Sequence, residues 1–154
     1  MTVRIERSAD IPLAREKIWE FIADPEKRAS AISVVESFDL HDEEGTRATW
    51  HIDLPIPMLR ATVDVETKDL VRDPPRYVKF EGRSRMMHVI GEHELTEIEN
   101  GTRLTTRFVV DGRLPGVEAF FERNLDRELR NIVEALLLDL GLDPADFDLE
   151  RANR

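Results

Sequence analysis

Residues 116–140 read GVEAFFERNLDRELRNIVEALLLDL, and this stretch decides the fold. Pro115 and Gly116 open it and Gly141, followed by Pro144, closes it, a pattern of helix start and stop signals. Between them Val117, Phe120, Phe121, Leu125, Leu129, Ile132, Val133, Leu136, Leu137 and Leu140 recur at spacings of three and four. That spacing predicts an amphipathic helix with one long buried face. At about 1.5 Å per residue it spans roughly 35 Å, the width of a small domain, so the rest of the chain must supply a broad surface for it. Asn124 and Glu128 interrupt the stripe. They are one turn apart and lie near the direction of Val117 and Phe121. Burying an amide or a carboxylate without partners costs about 1–3 kcal/mol or more, so this polar notch calls for a reason.

The chain before the helix changes period twice. Val3 to Ile11 alternates as a strand and Pro12 ends it. From Ala14 to Ala23 the residues Ile18, Phe21 and Ile22 form a helical face with Trp19 beside it. Asp24-Pro25 breaks this helix, and residues 26–32 can form a second short one. Six strands follow. They are 34–40, 46–54 with Ala48, Trp50, Ile52 and Leu54 on one face, 59–71 with Ala61, Val63 and Val65, 76–85 with Val78 and Phe80, 86–98, and 102–110. Turns separate them at His41–Gly45, Pro55-Ile56-Pro57, Asp73-Pro74-Pro75 and Glu99-Asn100-Gly101, where Asn-Gly is a strong hairpin signal. A strand, a broken helix pair, about six antiparallel strands and one long helix predict an α+β fold. In it a strongly curved sheet of about seven strands wraps the C-terminal helix and leaves a cavity between them. The expected organisation is one domain over residues 1–142 and a polar tail over 143–154, with Phe147 and Leu149 the tail's candidates for docking.

At 154 residues the chain can bury roughly 70% of its unfolded surface. It has no cysteine, which excludes disulfides and thiolate metal sites. The opening MTVRIERSAD carries charges where a signal peptide has an apolar core. No apolar run approaches the roughly 18 residues of a membrane span. The expected location is the cytoplasm, with no integral membrane segment. A net charge of −10 argues against a nucleic-acid partner. Only Lys17, Lys27, Lys68 and Lys79 are lysines, so 18 of the 22 basic residues are arginine, against 32 acids. This balance is halophile-like; an ordinary acidic protein from a GC-rich genome is the plainer alternative.

The histidines divide by face. His41 sits in an acidic turn, and His51 with Asp53 belongs to the outer face of its strand. His93 shares a face with Val89, Gly91 and Leu95 that points inward. It reads first as a hydrogen-bonded core histidine, and alternatively as a cavity-wall residue able to bind a ligand or act as a base near neutral pH. His93-Glu94-Leu95-Thr96-Glu97 superficially suggests a zinc signature, but that motif needs a helical face and the segment reads as a strand. No other group has convincing metal spacing, no glycine-rich phosphate loop occurs, and Ser30, Ser33, Ser37 and Ser84 lack a nucleophile elbow. No metal and no cofactor are expected, and no catalytic residue is assigned.

The segment VRIERSADIPLAREKIWEFIADPEKRA resembles the opening of the START-like helix-grip superfamily, in its polyketide-cyclase and lipid-transport (SRPBCC-type) branch. Ile18 to Glu26 is similar to that family's "vWefiaDPe" segment, and Glu94-Leu95-Thr96 to Gly101-Thr102-Arg103-Leu104 resembles its crossing into the last strand. The resemblance implies a pocket between helix and sheet for an apolar or amphipathic small molecule. The leading expectation is therefore binding or transport of a lipid, isoprenoid or aromatic compound without turnover. The candidate ligand-binding residues are Trp50, Phe80, His93, Phe108, Phe121, Asn124 and Glu128. In this view Asn124 and Glu128 recognise a polar head while the apolar body lies on the aromatic rings. Otherwise Glu128 sits at the cavity mouth, paired with an arginine such as Arg83 or Arg85. One alternative function is a cyclase or dehydratase that moves protons with His93 and Glu128 or Asn124. Another is a non-catalytic module that assists maturation of a second protein. Oligomeric state is left open.

Overall fold

The computed structural model describes residues 2–43, 46–56, 59–113 and 116–147. Glu44, Gly45, Pro57, Pro115 and Leu149, which figured in the turn and tail expectations, lie outside them, as do the side chains of residues 55–61. Strand β1 (Thr2–Ile11) leads into helices α1 (Arg15–Ile22) and α2 (Pro25–Ser30). Strands β2 (Val35–Leu40), β3 (Arg47–Ile56), β4 (Leu59–Asp73), β5 (Tyr77–Arg83), β6 (Met87–Ile98) and β7 (Gly101–Gly112) follow. Helix α3 (Val117–Asp139) comes next, with a 3₁₀ turn at Pro144–Asp146. The seven strands form one antiparallel sheet in the order β1-β7-β6-β5-β4-β3-β2. This is the α+β helix-grip architecture. No helix among the described residues is long and apolar enough to cross a membrane.

Local chemistry explains the element ends. Asp24 both breaks the first helix and caps the second, its carboxylate accepting from the backbone N–H of Glu26 at 2.9 Å and of Lys27 at 3.4 Å. Pro25 stands at the first helical position, where a missing N–H is harmless. Strand β5 stops at Arg83, short of the expected Arg85, because the Ser84 hydroxyl accepts the N–H groups of Met86 and Met87, both at 3.1 Å. Helix α3 ends in a Schellman motif: Leu142 N–H donates to Leu137 O at 2.8 Å and Gly141 N–H to Leu138 O at 3.0 Å. Gly141 adopts φ 78° there, a left-handed conformation that glycine reaches without steric cost.

The core lies between the sheet's inner face and α3. Ala48, Trp50, Ile52 and Leu54 of β3 are buried together, as are Val63 and Val65 of β4 and Val78 and Phe80 of β5. Across from them Val117, Leu125, Leu129, Ile132, Leu136 and Leu137 of α3 are buried. Gly91 makes room for the Phe80 side chain: a Cβ there would stand 2.3 Å from its ring. Phe80 and Gly91 are direct cross-strand partners, so the ring lies over the glycine and the sheet can bend at that point. Phe147, one of the tail's two candidates for docking, is partly buried against the core.

Candidate functional site: a cavity under the long helix

A cavity of about 60 Å³ lies between α3 and the sheet. The sheet contributes Trp50, Phe80 and Phe108, the helix contributes Phe121, Asn124 and Glu128, and Ile32 and Val34 come from the loop between α2 and β2. Helical spacing places Phe121, Asn124, Leu125 and Glu128 on one face of α3, which explains why a polar pair ends up among apolar neighbours. Trp50 and Phe80 pack with ring centroids 6.2 Å apart, and Phe80 meets Phe108 edge-on at 5.8 Å. Met87 adds a soft wall, and Thr67 a hydroxyl whose hydrogen goes to the Ala48 carbonyl at 3.1 Å. Six of the seven residues expected to bind a ligand thus line one space.

The two polar helix residues are held differently. Glu128 is only 5% exposed, and its carboxylate accepts the Ser33 backbone N–H at 2.9 Å and the Ser33 hydroxyl in a closer contact. The expected pairing with Arg83 or Arg85 does not occur. Arg83 bonds Glu81 instead, and the nearest guanidinium to Glu128 is its helix neighbour Arg127, at 4.0 Å. The loop after α2 comes closer to the helix than Arg83 or Arg85 does, and the Ser33 backbone and hydroxyl supply the donors. Asn124 donates its side-chain amide to the Phe120 carbonyl at 2.8 Å, within its own helix. The Trp50 indole Nε1 is buried and has no hydrogen-bond partner.

His93 departs from the cavity-wall expectation. It is 1% exposed and is not among the lining residues. Its ring stacks on Phe80 at 6.0 Å and meets Phe108 edge-on at 6.1 Å, behind the two rings that do face the cavity. Its Nδ1 bonds the Thr106 hydroxyl at 3.0 Å. Burial, and then the charge of Arg28, push its pKa down to about 3, so the imidazole is neutral near pH 7. A base near neutrality it is not.

Arg28 and Asp69 form a buried ion pair that the sequence reading missed. The Arg28 Nη2 donates to Asp69 at 3.0 Å, each side chain is 5% exposed, and Arg72 Nε reaches the same carboxylate at 2.7 Å. The guanidinium lies over the Phe80 ring, 5.1 Å from its centroid. Burial lowers the Arg28 pKa, and Asp69 opposes that shift. A bulge between Asp69 and Val71 re-aims β4 at this point. One signal was present: Asp69 continues the inward parity of Val63, Val65 and Thr67. Nothing in the six-residue α2 marks Arg28.

Among the described residues no cluster of His, Asp and Glu has the arrangement to hold a metal ion. Solved structures share the architecture. The Zhui aromatase/cyclase of Streptomyces sp. R1128 superposes with a TM-score of 0.66 at 15% identity, over 90% of this chain and 93% of that one. A START superfamily protein of Mycobacterium smegmatis gives 0.66 at 11% identity, over 86% and 93%. A conserved protein of Geobacillus kaustophilus gives 0.68 at 13% identity, over 90% and 95%. At such identities the likeness is one of fold. No curated protein is close enough in sequence to match. A family model described as polyketide cyclase / dehydrase and lipid transport matches residues 2–136, and the chain belongs to that family.

Proposed function

We propose that the protein binds a hydrophobic small molecule between α3 and the sheet and carries it without turnover. The observation that supports this most is the cavity wall itself, in which aromatic and aliphatic side chains from the sheet, the helix and the α2–β2 loop converge. Apolar concave sites with a few polar groups are the usual form of small-molecule pockets. At about 60 Å³ the space is well below the usual 300–1,000 Å³ of such pockets, so a ligand larger than a few water molecules enters by moving a wall. The α2–β2 loop, tied to α3 by the Ser33–Glu128 contact, is the wall with the least regular structure.

A cyclase or dehydratase needs paired acid–base groups converging on a substrate. Glu128 is the one ionisable side chain lining the cavity among the described residues, and both its oxygens are engaged by Ser33. The arrangement therefore favours binding over proton transfer. The test is displacement of a fluorescent apolar probe, compared with a Leu129→Trp variant that fills the cavity. Saturable binding to the wild type, lost in the filled variant, supports the reading. Binding that survives filling places the probe elsewhere and overturns it.

A further inference from the structure

The cavity under α3 has polar residues in its wall and, among the described residues, no polar atom on its surface. Thr67, Asn124 and Glu128 all line it, yet what they present to the space is carbon. The protein itself engages the polar end of each. The Thr67 hydroxyl donates to the Ala48 carbonyl at 3.1 Å, and the Asn124 amide donates to the Phe120 carbonyl at 2.8 Å. The Glu128 carboxylate accepts the Ser33 N–H at 2.9 Å together with the Ser33 hydroxyl. Trp50 adds its ring to the wall, and its buried Nε1 adds no polar surface. Around them stand aliphatic and aromatic side chains, among them Val65, Phe80, Leu125 and Leu129.

We propose that the site is selective for hydrocarbon: it takes an alkyl, isoprenoid or unsubstituted aromatic moiety, and any polar group of the ligand stays outside the wall. A hydroxyl or carbonyl carried into this space would leave water and meet no partner, and a buried unpaired polar group carries its full desolvation penalty. A poly-β-ketone chain, with a carbonyl on every second carbon, would meet that penalty repeatedly. Each buried methylene, in contrast, is favourable. The proposal rests on the reading of this cavity as a ligand site and adds to it the chemical class of the part that is bound. It excludes polyketide chains as cargo. It also gives Thr67, Asn124 and Glu128 a part in specificity, because their contacts with the protein keep polar atoms off the wall.

The test titrates benzene, toluene and phenol calorimetrically into the full chain. Toluene and phenol have nearly the same shape and differ by a methyl against a hydroxyl. Toluene should bind at least roughly tenfold more tightly than phenol, with benzene between them. Thr67→Val removes a hydroxyl that does not face the space and should leave the toluene–phenol gap unchanged. If that variant does not fold, the wild-type ranking still decides. Toluene binding should vanish in Leu129→Trp. Phenol binding as tightly as toluene, or a gap that widens in Thr67→Val because the hydroxyl had reached the guest, overturns the hydrocarbon assignment and leaves the ligand site standing. Failure of all three probes to bind, or toluene binding that survives Leu129→Trp, overturns the ligand site and this proposal together.

Discussion

Glu128, at the middle of the long helix, holds Ser33 in the loop that enters β2, accepting both its backbone N–H at 2.9 Å and its hydroxyl. The two residues are 95 positions apart, and their contact fastens the α2–β2 loop over the cavity. A carboxylate that looked like a ligand reader in the sequence is, in the fold, first a clasp.

Glu128→Leu removes that clasp and leaves two Ser33 donors without their charged acceptor. A loss of about 2–3 kcal/mol in stability is expected, and Ser33→Ala, which removes only the hydroxyl, should lose about 1 kcal/mol. At about 2–4 °C per kcal/mol for a chain of this size, thermal melts resolve the two. If the loop is the entrance, Ser33→Ala should also speed probe uptake in stopped-flow fluorescence. An unchanged rate would move the entrance elsewhere.

His93 predicts acid sensitivity. Its folded pKa, about 3, lies below the ordinary value of 6.5. Between those values the unfolded chain takes up a proton at this position that the native state refuses. Stability from this group is therefore complete above pH 6.5 and falls as pH drops, at up to about 1.4 kcal/mol per pH unit. In urea titrations from pH 7 to pH 4.5, His93→Phe should show a shallower decline than wild type. Parallel declines would mean that His93 is not buried neutral.

His51 acts with the opposite sign. Its Nε2 faces Asp39 and its Nδ1 faces Asp64, each at 2.8 Å, and two carboxylates can both be satisfied only when both ring nitrogens carry hydrogen. Hydrogen bonds to Asp39 and Asp64 raise its pKa above 6.5. Its contribution is full below that value and is lost as pH rises through the folded pKa. An NMR titration should place the His51 midpoint above 6.5, moving down in Asp39→Asn and toward 6.5 at high salt.

Breaking the interior ion pair should be the most damaging polar change. Asp69→Asn leaves Arg28 charged and buried beneath Phe80, which costs about 3–5 kcal/mol. The paired replacement Arg28→Met with Asp69→Leu should recover much of that loss, since an apolar pair of similar volume is often neutral. Chemical denaturation of the three proteins measures the difference. Additive losses in the double variant would show that the pair is not coupled.

Much of the fold was readable because period and punctuation agree along the chain. The inward residues of β3, the helix stripe and the Gly141 stop are local patterns, and local patterns are what burial and backbone geometry write into a sequence. The site was less readable. The aromatic rings of Trp50, Phe80 and Phe108 could be placed on inner faces, but alternation alone cannot tell a cavity wall from the layer behind it, which is where His93 stands. The partners of Glu128 and Arg28 were invisible for another reason. Ser33 lies in a loop and Asp69 at a bulge, and both contacts join positions far apart in the chain.

The most direct test of the cavity as a carrier site is native mass spectrometry of gently purified protein, followed by organic extraction and identification of what is released. The account predicts an apolar compound at one per chain, displaced when Leu129→Trp fills the cavity. A bare mass, with no uptake of alcohols, isoprenoids or aromatic probes offered in excess, would contradict it.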